Sequence, residues 1–174
     1  MRIDRRSVLI AAAGSVTLAT TPVARAQRGS DRDTLEDLLA LERRLESVYA
    51  AAVRRGALDR GLAELLRDQE REHAEGLEEA LSGGGRAPLA SVPSPELNRA
   101  LAGGGATFLR YALALESEAV SAYAAAVARL RDPELIQPLG AIMGSEGQHL
   151  VALRRELGIK PLTRAFETGR EVVE

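Results

Sequence analysis

Two histidines occur in this chain of 174 residues, and each follows a glutamate by three positions: Glu70-Arg71-Glu72-His73 and Glu146-Gly147-Gln148-His149. Residues three apart on a helix share a face, so each Glu-x-x-His aims one carboxylate and one imidazole at a common point. Those groups suit iron, manganese or zinc. Each copy also has an upstream companion. Glu42 and Tyr49 in residues 41–53 recur as Glu116 and Tyr123 in residues 115–127, an offset of 74, while the Glu-x-x-His units are offset by 76. The chain is a duplicated helix pair, and the duplication keeps the ligand types.

The elements that must position these groups follow from apolar spacings of three and four, which make the chain all-α. Helices are expected over about 33–55, 58–81, 106–130 and 133–157. Asp31 or Asp33 can cap the first and Gly56 can end it; Asp132-Pro133 reads as a cap and first position for the fourth. Few residues separate the helices within each pair, so each pair is an antiparallel hairpin. Residues 82–105 are rich in glycine and proline, with a short helical candidate at 94–102, and can carry the chain along the bundle, about 36 Å for 24 helical residues.

Spacing puts the candidate ligands in register. Glu42 lies 15 residues before Ala57 at the first turn and Glu70 lies 13 after it; Glu116 and Glu146 each lie 15 from Arg131 at the second. They also share faces. Leu38, Glu42, Leu45, Tyr49 and Ala52 follow a core-seam spacing, as do Ala112, Glu116, Ala119, Tyr123 and Ala126. Leu62, Leu66, Glu70, His73 and Leu77 form the third seam, and Leu139, Ile142, Glu146, His149 and Leu153 the fourth. A carboxylate buried on such a seam must be protonated, paired or metal-bound. No arginine or lysine shares these seams, whereas two divalent ions would balance four glutamates.

On these residues the chain resembles the ferritin-like di-iron carboxylate proteins (ferritins, bacterioferritins and rubrerythrins), whose pattern over four helices is Glu, Glu-x-x-His, Glu, Glu-x-x-His. The resemblance covers about residues 33–157 and includes a tyrosine seven residues after the first-helix glutamate. It implies a ferritin-like antiparallel four-helix bundle of two hairpins joined by a long crossover. It also implies two iron ions, with manganese as the alternative, reacting with oxygen or hydrogen peroxide. Glu42 and Glu116 would then be terminal ligands, Glu70 and Glu146 bridges, and His73 and His149 one ligand to each ion. Tyr49 and Tyr123 are candidate catalytic residues beside the site, read first as core fillers that bond a ligand carboxylate. Asp68, Gln69, Ser145 and Gln148 are candidates to support the ligands from outside. Glu46, Glu72, Glu75, Glu78 and Glu79 read as a solvated acidic face.

The chain departs from particular family members. The residues after Pro161 offer no fifth helix of the ferritin kind. The absence of cysteine excludes an iron–sulfur centre or disulfide within this sequence. Arg71 and Gly147 stand where a haem-binding methionine would lie. Ferroxidase, peroxidase and manganese catalase-like activities remain, against a non-enzymatic bundle for metal binding or stress protection. Gly140, Gly144 and Gly147 each weaken the fourth helix by roughly 1 kcal/mol against alanine; close helix approach or room for a small ligand would account for them.

Residues 1–26 read as an export leader. Arg5-Arg6 precedes an apolar run of about 14 residues, short of the roughly 20 needed to span a bilayer, and Ala24-Arg25-Ala26 matches a cleavage site. The arginine pair resembles a twin-arginine signal, implying export machinery as a partner and a destination across the cytoplasmic membrane of a prokaryote, in the periplasm or outside. Residues 27–158 form the bundle and 159–174 a tail. Removing the leader takes Arg2, Arg5, Arg6 and Arg25 from 23 basic residues and Asp4 from 25 acidic ones, a net charge of −5. That argues against nucleic acid as a partner. The alanines at 50–52 and 124–126 permit close packing within the bundle or across a homodimer.

Overall fold

The computed structural model describes residues 30–81, 94–162 and 167–169. The expected leader at 1–26 and the first half of the expected crossover, residues 82–93, lie outside the described residues. Among the described residues five α-helices follow in order: α1 (Asp31–Arg55), α2 (Arg60–Ala80), α3 (Pro95–Ala102), α4 (Gly105–Val127) and α5 (Ile136–Glu156). Among the described residues there is no strand, and no helix is long and apolar enough to cross a membrane.

Local chemistry sets the boundaries. Ser30, not Asp31 or Asp33, caps α1. Its hydroxyl accepts from the Asp33 amide at 3.1 Å while the Asp33 carboxylate accepts from the Ser30 amide at 2.8 Å, a reciprocal pair that satisfies two exposed donors. Asp31 is thereby left to accept from the backbone of Arg131 and Asp132 (3.1 and 2.9 Å), tying the second turn to the head of α1. Gly56 ends α1 with φ 60°, ψ 36°, a left-handed conformation that glycine adopts without strain. Asp59 caps α2 through the Leu62 amide at 3.0 Å.

The last helix differs from expectation at its start. Asp132 does cap Pro133, but residues 133–135 form a 3-10 turn and the α-helix begins at Ile136. Pro138 accounts for this. Proline has no N–H to bond back four residues, so it is tolerated only in a first turn; an α-helix begun at Pro133 would place it too deep. The third long helix, α4, ends at Val127, where bonds from Arg129 and Leu130 to the Ala126 carbonyl tighten the chain.

The hairpins pack as α1 with α2 and α4 with α5, and α1 lies against α4. A β-carbon on Gly105, at the head of α4, would lie 3.4 Å from the Ala57 carbonyl. Arg131, past the end of α4, meets Asp31. So α1 and α4 are antiparallel, and the connection containing α3 leads from one end of the bundle to the other. The tail packs back on α5 and α4: Arg154 of α5 pairs with Glu167 at 2.8 Å and Ser121 of α4 donates to the Thr168 carbonyl. Gly169 (φ 65°) sits so close that a β-carbon would lie 2.1 Å from the Ser117 carbonyl.

The core divides in two. One apolar cluster includes Leu45, Leu66, Phe108, Leu113, Leu150 and Leu153; the other includes Leu35, Leu38, Leu77, Leu139 and Ala126. Along the seams of α1, α2 and α5 the glutamate falls between them; on α4 Glu116 lies among residues of the first cluster, with Tyr123 and Ala126 beyond it in the second. The bundle thus interrupts its own core with a polar layer.

Candidate metal centre

All six sequence-predicted ligands meet in that layer. Glu42, Glu70, Glu116 and Glu146 are each 0% exposed. His73 Nδ1 lies 2.9 Å from Glu146, 3.4 Å from Glu70 and 3.6 Å from Glu42. His149 Nδ1 lies 3.0 Å from Glu70, 3.1 Å from Glu146 and 3.4 Å from Glu116. The rings stack with centroids 5.9 Å apart. The donors form two overlapping groups, Glu42, Glu70, His73 and Glu146 on one side and Glu70, Glu116, Glu146 and His149 on the other; within each, the ligand atoms lie within 4.8 Å of one another. Glu70 and Glu146 belong to both.

These donors converge without satisfying each other. Glu42 Oε2, both oxygens of Glu70, Glu146 Oε1 and His73 Nδ1 are buried and lack an aligned hydrogen bond, although an imidazole nitrogen approaches several of them closely. Buried polar atoms left this way cost about 1–3 kcal/mol each. Two cations would satisfy all five. The donor set and its geometry therefore fit a pair of divalent metal ions.

Each tyrosine serves the other repeat. Tyr49 on α1 donates to Glu116 on α4, and Tyr123 on α4 donates to Glu42 on α1 at 2.5 Å. Burial, reinforced by the surrounding carboxylates, raises both phenols well above their ordinary range. They act as neutral donors that hold the two outer carboxyls. Tyr49→Phe or Tyr123→Phe should each lower metal-free stability by about 1–3 kcal/mol. Urea unfolding with a chelator checks this; a loss under about 0.5 kcal/mol, the level of an ordinary surface change, would mean the hydroxyls contribute nothing.

The protons of the cluster divide unevenly. Burial pushes the Glu42 and Glu116 carboxyls up, with further push from neighbouring Glu70 and Glu146. Burial also acts against ionised Glu70 and Glu146, but the two imidazoles outweigh it and leave both below the usual carboxylate range. For His73, burial opposes the charge, yet Glu146, Glu42 and Glu70 push it up to about 11. His149 is raised as well, by Glu116, Glu146 and Glu70 against the same opposition.

Around the ligands, expectation and structure part. Gln69 Oε1 lies 2.9 Å from His149 Nε2. Asp68 turns instead to Arg67 and Arg71. Gln148 is exposed, and Ser145 bonds neither histidine among the described residues. Glu46 and Glu78 are not part of a solvated face. Buried Arg43 bridges them at 2.7 and 2.6 Å, clamping α1 to α2 beside the site. Their residue types gave no sign of this, because the second repeat has Ser117 and Val120 where the first has Arg43 and Glu46. No neighbour lies within 4 Å of a β-carbon placed on Gly140, Gly144 or Gly147, so close helix packing does not explain them.

An all-α bundle with a buried four-carboxylate, two-imidazole cluster, compatible with a dimetal site, defines the class. The chain belongs to the ferritin-like domain family, whose model matches residues 30–158. No curated protein and no solved structure shows significant similarity to it.

Proposed function

We propose that this protein holds two iron ions, with manganese as the alternative, through Glu42, Glu70, His73, Glu116, Glu146 and His149, and serves as an oxidoreductase outside the cytoplasm. The observation that carries the reading is the set of five buried, unsatisfied donor atoms converging on the space between the helices. Two such ions would supply Lewis acidity and electron transfer toward oxygen, peroxide or further ferrous iron. The chain's part is to place them. Glu70 and Glu146 belong to both donor groups and would hold the two ions together; Tyr49 and Tyr123 fix the outer carboxyls; the two apolar clusters exclude water above and below. The proposed export rests on the arginine pair, apolar run and cleavage pattern of residues 1–26.

Metal analysis of protein purified without a histidine tag tests the reading, beside a His73→Ala/His149→Ala control. About two iron or manganese ions per chain, lost in the control, is the expected result. No stoichiometric metal after anaerobic ferrous or manganous addition would overturn it. One observation favours a second reading, in which the metal is structural: the four glutamates are wholly buried. A loaded protein that consumes neither oxygen nor peroxide, and oxidises no ferrous iron, would decide for it.

A further inference from the structure

The duplication that pairs Glu70 with Glu146 and His73 with His149 also pairs residue 69 with residue 145, at the same offset of 76. There the two repeats differ. Residue 69 is glutamine, long enough to reach across from α2 to α5, and its Oε1 lies 2.9 Å from His149 Nε2. Residue 145 is serine, whose hydroxyl sits on the β-carbon, and among the described residues it makes no bond to His73. The surroundings differ in the same direction: the His149 side chain is 3% exposed and that of His73 12%.

A histidine that binds metal through Nδ1 must carry its remaining proton on Nε2, and a carbonyl oxygen facing Nε2 fixes both that tautomer and the ring's rotation. His149 has such an oxygen; among the described residues His73 has none. We infer that Gln69 is a positioning residue that makes the two metal positions unequal, so that the position of Glu70, Glu116, Glu146 and His149 fills first and tightly and that of Glu42, Glu70, His73 and Glu146 fills second and exchanges. This rests on the dimetal reading above. The fixed ring loses less freedom on ligation and is the more basic ligand, an effect of roughly 10–100-fold in affinity.

Zinc titration of the metal-free full chain by calorimetry tests the inference. Wild type should bind two ions in steps separated by roughly 10–100-fold. His73→Ala should retain the tighter step and His149→Ala the weaker. Gln69→Met, similar in volume but without an acceptor, should bring the first step close to the second, and Gln69→Glu, which keeps an acceptor, should restore the separation. Two histidines in the chain make the imidazole NMR spectrum of zinc-loaded, nitrogen-15 histidine-labelled protein simple to assign. The His149 Nε2 proton should exchange slowly with solvent in wild type and rapidly in Gln69→Met. Two indistinguishable steps in wild type, or a first step and Nε2 signal untouched by Gln69→Met, would overturn the inequality while leaving the dimetal reading intact. Wild type that binds no zinc, iron or manganese would overturn both. The wild-type titration and spectrum need no variant at residue 69, so a misfolded variant would not rescue the idea.

Discussion

Glu70→Gln/Glu146→Gln should bind less than one metal ion per chain and lose oxygen, peroxide and ferrous-oxidation activity to background. The expected drop exceeds the roughly 10–100-fold typical of residues that only support ligands, because both replaced groups contribute to both positions. Glutamine keeps the volume and hydrogen-bonding shape of glutamate, so the helices should still assemble, and circular dichroism would establish that. Glu42→Gln provides the contrast. It removes a donor from one group and leaves Glu70, Glu116, Glu146 and His149 intact. That variant should retain about one ion per chain while losing any reaction that draws an electron from each of two metals. Activity surviving in the double variant would place the chemistry elsewhere and sink the oxidoreductase reading. Equal metal loss in Glu42→Gln and the double variant would contradict the shared role of Glu70 and Glu146.

The convergence of the six candidate ligands was legible in the sequence because their costs are local and their spacing is periodic. A glutamate on a leucine seam violates ordinary burial, and four at matched heights across two hairpins leave few ways to neutralise them. The crossed bonds from Tyr49 to Glu116 and from Tyr123 to Glu42 were only half legible: the seven-residue spacing put each tyrosine near the layer, but α1 lying antiparallel to α4 decides which carboxyl it meets. Arg43 was not legible. It lies one position beyond the seam residue Glu42, and only the approach of α2 encloses it with Glu46 and Glu78. Pro138 was readable but outweighed by the stronger signal of Asp132-Pro133, which is why the start of α5 fell three residues late. Gln69 is the instructive case. Nothing in its type separates it from Asp68; its helix face does, and a residue just off the seam can reach a histidine on the opposite helix.

Loading the protein with two divalent ions at neutral pH should release about four protons, two per ion. Without metal, Glu42 and Glu116 are raised and keep their protons, Glu70 and Glu146 are lowered and ionised, and both imidazoles are raised and charged. Two carboxylates facing two imidazolium ions sum to zero. Four carboxylates facing two divalent ions also sum to zero. Protons and metals are therefore alternative ways to neutralise one buried layer, and they compete. Calorimetry in buffers of different ionisation enthalpy counts the protons, and apparent affinity should change by as much as about 100-fold per pH unit for each ion. Release of one proton or none per ion would mean that the acids are already ionised or the imidazoles already neutral. The same directions set the stability of the metal-free form. His73, raised from 6.5 to about 11, contributes fully below pH 6.5 and loses its contribution as pH climbs toward 11. Raised Glu42 and Glu116 act in the same sense, losing ground above their ordinary 4.5. Lowered Glu70 and Glu146 contribute above 4.5 and fail as pH falls. Metal-free protein should thus be most stable near pH 4.5, weaken above it as Glu42 and Glu116 hold protons the unfolded chain has released, and weaken more steeply above 6.5 as the imidazoles add to this, while bound metal stabilises more as competing protons leave. Thermal melts with chelator and with manganous ion should diverge from pH 6 to pH 9; parallel curves would mean that protons and metal do not share the layer.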